Sequence, residues 1–103
     1  EVISAKEGDT RLSLKELTPV RLLKNKFSIA VDQAEASCAS KEELQILLGR
    51  GRAKKGMFEG ELTEGELEIG QISSRINKIM PAKKIVEEIW KEFLEAKQKL
   101  ITL

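Results

Sequence analysis

GRGRAKKGMFEGELTEGELEIGQ, residues 49–71, carries six of the seven glycines in the chain. Glycine at that density serves a phosphate cradle, a flexible linker, or backbone packed too closely for side chains. A P-loop requires G-x-x-x-x-G-K-[ST], so that a lysine meets the phosphates and a hydroxyl meets magnesium. Gly51 and Gly56 have that separation, but Met57 and Phe58 follow them. The dinucleotide fingerprint G-x-G-x-x-G starts at Gly49 and Gly51 and then meets Lys54 where its third glycine belongs. Both cradles fail. Ala53, Met57, Leu62, Leu67 and Ile69 are interspersed among the glycines, which suits tight turns and close helix contacts better than a loose linker. The stretch therefore reads as a connector within one packed unit.

The flanks of this connector read mainly as helix. On the N-terminal side, Thr18-Pro19 has the form of a helix start, with Thr as cap and Pro at the first helical position. Val20, Leu23, Phe27, Ala30, Val31 and Ala34 recur behind it at helical spacing, to about Ser37. Ser40-Lys41-Glu42-Glu43 is a capping box, Leu44, Leu47 and Leu48 follow, and Gly49 stops the helix. Further upstream, Leu12 and Leu14 alternate with polar residues as a short strand, and residues 1–7 resemble final helix turns closed by Gly8. On the C-terminal side, Leu67, Ile69, Ile72, Ile76 and Ile79 suggest a helix interrupted or closely packed at Gly70. Beyond Pro81, an apolar stripe from Ile85 through Ile89, Trp90, Phe93 and Leu94 to Leu100 predicts the clearest helix. The fold class is thus mainly α: about four helices, one short strand and a glycine-rich connector. Trp90 and Phe93 are the largest core candidates, so removal of residues 82–103 is expected to collapse the remainder.

Composition limits the chemistry. The 103 residues include 18 basic and 17 acidic side chains, so no global field selects nucleic acid or a membrane surface. The basic cluster Arg50, Arg52, Lys54 and Lys55 is followed at once by Glu59, Glu61, Glu64, Glu66 and Glu68. These carboxylates cancel its field, and stacking aromatics are missing; nucleic acid is not an expected partner. The carboxylates also lack the pattern of a calcium loop. No histidine is present and Cys38 is the only cysteine, so neither a zinc ligand set nor a Ser-His triad can form within the chain. Cys38 reads as a small packed hydrophobe. No apolar run reaches the ~18 residues of a membrane span. A cytoplasmic protein is the expectation, and no residue set amounts to an autonomous active site.

GRGRAKKGMFEGELTEGELEIGQISSRI, preceded by LKELTPVRLLKNKF and followed by PAKKIVEEIWKEF, resembles the C-terminal region of a known family. That family comprises the nitronate monooxygenases (2-nitropropane dioxygenases) and FMN-type enoyl-acyl-carrier-protein reductases. The similarity runs from about Asp9 to Phe93. Its most specific parts are Thr18-Pro19-Val20-Arg21, Lys24-Asn25-Lys26, Arg52-Ala53, Gly60 with Gly65, and Gly70-Gln71. The resemblance implies an FMN-binding (β/α)8 barrel oxidoreductase as the parent, using NAD(P)H and a small-molecule substrate. A whole barrel requires roughly 200 residues or more, so this chain would be its C-terminal piece. Residues 1–17 would then be the remnant of a barrel helix plus a short strand, and residues 18–103 the C-terminal helical segment. Gly70 and Gln71 would lie near the flavin, at a close backbone approach. Arg21, Asn25, Trp90 and Phe93 would pack or anchor the segment against its partner, the rest of the barrel. The chain alone is expected to bind no FMN, to be inactive and to self-associate. The alternative is a small helical interaction or dimerisation domain without catalytic activity.

Overall fold

The computed structural model describes residues 1–103. Two short strands, β1 (Thr10–Ser13) and β2 (Val20–Leu23), form an antiparallel pair with Thr10 opposite Leu23 and Ser13 opposite Val20. The turn between them holds Leu14 in the left-handed region at φ 55°. Two compensations support that rare conformation: Leu14 is buried, and the Glu35 carboxylate accepts from its backbone N–H and from that of Lys15. On its other side β2 takes a second partner. Leu23 N–H donates to the Leu67 carbonyl at 2.9 Å, Ile69 N–H donates to the Arg21 carbonyl at 3.1 Å, and Leu22 bridges Glu68.

Thr18-Pro19 therefore opens a strand, not a helix. Pro19 lies just before β2, where no ladder hydrogen bond is required of it. Helix α1 (Lys26–Ala36) begins seven residues later than the sequence suggests. Its cap is Asn25, whose side chain accepts from Ser28 N–H while the Ser28 hydroxyl accepts from Asn25 N–H. The spacing of Val20, Leu23 and Phe27 mimics a helix because β2 is buried on both faces: Leu22 and Leu23 are both inside.

Helix α2 (Lys41–Leu48) follows the sequence reading, with Ser40 and Glu43 forming the capping box and Gly49 terminating it at positive φ. Cys38, expected to pack inside, is exposed in the turn before it, with φ 57°. Within the glycine-rich stretch a short helix, α3 (Arg52–Met57), precedes a turn-rich loop. The helix expected over residues 67–79 is absent. Leu67 and Ile69 are extended beside β2, a 3-10 turn covers Gln71–Arg75, and Ile72, Ile76 and Ile79 are exposed. The N-terminal residues hold only a 3-10 turn at Val2–Ser4, and Ala5 joins the core.

Helix α4 (Ala82–Ile101) contains no buried residue. Trp90 and Phe93, expected in the core, are 60% and 51% exposed. The core lies wholly upstream. One cluster contains Leu14, Leu22, Phe27 and Val31, and a second contains Ala5, Leu23 and Leu67. Only 14 of the 103 residues are buried, so hydrophobic burial alone leaves this unit thinly supported and polar fastening becomes important.

Candidate functional site

The fastening concentrates around Arg52 at the start of α3. Its Nε donates to the Leu48 carbonyl at 2.8 Å, Nη2 to that of Leu47 at 2.9 Å, and Nη1 to that of Glu64 at 2.7 Å. The guanidinium also lies over the Phe27 ring, 4.3 Å from its centroid. One side chain thus ties the end of α2, the core face of α1 and the loop that leads to residues 66–71. The first two bonds neutralise helix-terminal carbonyls that have no intrahelical partner.

Asn25 fixes the same loop from the other side. While its Oδ1 caps α1, its Nδ2 donates to the carbonyls of Leu62 and Gly65, at 3.0 and 2.8 Å. Between these two clamps the backbones of α3 and the loop touch. A Cβ built on Gly65 would stand 2.5 Å from Gly56 Cα, and one built on Gly56 would stand 2.7 Å from the Glu66 carbonyl oxygen. Glycine is required at both positions by close approach, which is the third of the roles open to this stretch.

Charges follow the same geometry. Lys26 and Glu64 form a close ion pair across the loop. Its hydrogen bond holds the Glu64 carboxyl below the usual range and the Lys26 ammonium above its own. Glu66 behaves oppositely: burial, reinforced by the neighbouring Glu68 charge, raises its carboxyl above the ordinary value. Of the basic cluster, Arg52 is clamped into the fold and Lys54 lies 3.9 Å from Glu59 at the surface. No group of three or more His, Cys, Asp or Glu side chains converges as a metal site, and no helix is long and apolar enough to cross a membrane.

What these clamps position is the segment 66–71, delivered along the free side of β2. Gly70 borders a shallow surface groove with Pro19, Val20, Arg21 and Glu68. Gln71 borders another with Glu7, Gly8, Ser74 and Arg75. The two residues are adjacent, but the chain itself makes no close approach to Gly70: an added Cβ would meet only Ile72 Cγ2, at 3.8 Å. Ser73 Oγ is buried without a hydrogen-bond partner. Both grooves are open, and the one at Gly70 is lined by apolar as well as charged side chains. Arg21 and Asn25 anchor within the chain: Arg21 Nη1 reaches Thr10 Oγ1 at 3.3 Å across the strand pair, and Asn25 holds the loop. Sequence reasoning marked Arg52 as one of a basic cluster and Gly65 as one of the dense glycines, and both as parts of a resemblance, but missed the contact that joins their segments. Glu35, which sustains the Leu14 turn, carried no signal.

This architecture defines a class: a small strand-and-helix segment whose polar clamps present an edge rather than enclose a pocket. Among solved structures, that of FabK from Thermotoga maritima matches 96% of this chain at 31% identity, with a TM-score of 0.73. A mutant form of the same protein matches 96% of the chain at 29% identity, with a TM-score of 0.69. The chain spans 31% and 28% of the chains in those two structures, less than a third of either. No protein-family profile and no curated protein matches it.

Proposed function

We propose that this chain is the C-terminal segment of an FMN-dependent oxidoreductase of the enoyl-acyl-carrier-protein reductase type. The observation that carries the reading is the match to FabK, an FMN-dependent enoyl-ACP reductase, over nearly the whole of this chain. Identity and fold agree over the same residues, which is stronger support than either gives separately. The likeness favours an enoyl thioester over a nitronate as the parent's substrate.

In this reading the flavin supplies hydride transfer and the protein supplies orientation. The residues of this chain contribute structure at the edge of that site. Arg52 and Asn25 lock the loop at 61–65, the Gly56–Gly65 contact sets its height over α3, and β2 carries the next residues outward. Gly70 and Gln71 are thereby presented on a rigid edge, where the rest of the barrel would meet them. The open space at Gly70 suits a close approach by a group from outside the chain. NAD(P)H and the thioester would be held elsewhere in the parent.

The test is to produce the chain joined to whatever sequence precedes Glu1 in its gene. The expected product is yellow, holds one FMN and oxidises NAD(P)H when given an enoyl thioester. A joined protein without a flavin spectrum under FMN saturation overturns the reading. Turnover of a nitronate but not of an enoyl thioester keeps the flavoprotein and replaces the substrate.

A further inference from the structure

Helix α4 presents an uncovered apolar face with a heptad pattern. Val86, Phe93 and Leu100 stand seven residues apart on α4, as do Ile89 and Ala96, and Leu103 continues the second series just beyond the helix end. Spacings alternating between three and four residues are those of a helix that winds with a second helix. Ile89, Phe93 and Leu100 are 62%, 51% and 72% exposed. Trp90 flanks the seam and stacks on Phe93, with centroids 5.2 Å apart. We infer that this face binds the same face of a second copy, helix against helix and antiparallel.

Side-chain volume selects the direction. A parallel pair would set Phe93 against Phe93 and Ala96 against Ala96, a crowded layer beside an empty one. An antiparallel pair sets Phe93 of one copy against Ala96 of the other, twice, and Ile89 against Leu100, twice. Opposed helix dipoles favour the same direction.

Charge selects the register. In that alignment Glu92 meets Lys99 of the other copy on one flank, and Lys97 lies beside the Trp90 ring on the other. Sliding by one heptad in either direction brings Glu92 against Glu92, or Lys99 against Lys99. These flanking charges are also free to pair. The ion pairs within α4 are Lys83–Glu87, Lys84–Glu87 and Lys91–Glu95, and none involves Glu92, Lys97 or Lys99. Four half-exposed aromatic rings and the aliphatic layers together bring the buried area to on the order of 1,000 Å², about the minimum for a specific interface.

Sedimentation equilibrium of the 103-residue chain tests this, with far-UV circular dichroism confirming that each variant keeps its helix. A dimer with a dissociation constant below about 100 μM is expected. Glu92→Lys should weaken it about tenfold by creating two like-charge contacts. Adding Lys99→Glu to that variant should restore it, whereas adding Lys97→Glu should not. A monomer overturns the inference, and is the result expected if another part of a longer chain covers this face. Rescue by Lys97→Glu instead of Lys99→Glu overturns the antiparallel geometry. Higher aggregates, or a dimer indifferent to Glu92→Lys, overturn a specific helix pair.

Discussion

Gly65 and Gly56 show how two absent side chains can hold a fold together. Their backbones meet so closely that a methyl group on Gly65 would collide with the Gly56 main chain, which no rotamer change relieves. Gly65→Ala is expected to destabilise the chain by roughly 3 kcal/mol, at the upper end for overpacking, and urea denaturation should show the loss in the midpoint. Glu66 makes a different prediction. Its carboxyl binds a proton more tightly in the fold than in the unfolded chain, because burial and Glu68 disfavour its charge. Its contribution is therefore fully present below the ordinary value of 4.5 and is lost as pH rises through the raised one. Glu66→Gln should raise the melting temperature at neutral pH and change little in acid. Glu64 runs the other way: Lys26 depresses its carboxyl, so that contribution fades as the solution is acidified. A neutral-pH melting temperature unchanged by Glu66→Gln would show that its carboxylate is adequately solvated.

Among the elements, α2 was legible and α1 was not, and the difference is physical. The capping box of α2 is a local device: Ser40 and Glu43 satisfy each other's backbone groups whatever surrounds them. The start of α1 depended on β2, and β2 exists because β1 and residues 67–69 pair with it on either side. The region after Gly65 was misread for the same reason, since Leu67 and Ile69 owe their extended form to β2. Helix α4 was placed correctly along the chain, and its surroundings were misjudged. Its stripe is as apolar as a core face, but none of its residues is buried in this chain. Deleting residues 82–103 is therefore expected to leave the melting temperature of the remainder within a few degrees and to reduce self-association. Collapse of the truncated chain would mean that α4 supports the core after all.

At the scale of the whole molecule, the dimensions carry the same message. The radius of gyration is 17.5 Å and the longest extent 54 Å, whereas a compact chain of this length has a radius near 13 Å. The excess reflects a projecting helix and a thin core. Two surfaces are left seeking partners: the edge at Gly70 and Gln71, and the α4 face. The proposed parent enzyme accounts for the first and a second copy for the second, and the two tests are separable. Flavin content of the joined protein reports on the edge, and charge-swapped variants of the isolated chain report on the helix.

The sequence by itself determined what is local: the capping box of α2, the stop at Gly49, the extent of α4 and its amphipathic face, and the failure of both nucleotide cradles. It also excluded zinc-type and triad chemistry, because the residues those require are missing. Tertiary structure alone decided which glycines touch, that Arg52 rather than a row of cations organises the connector, and that Val20–Leu23 is a strand. Hydrogen bonds between residues 12 to 44 positions apart made those decisions. Asn25 reaches Gly65, Arg52 reaches Glu64 and Leu23 reaches Leu67. Local propensity loses to them because an unpaired buried carbonyl or N–H costs more than the modest preference of a few residues for a helix.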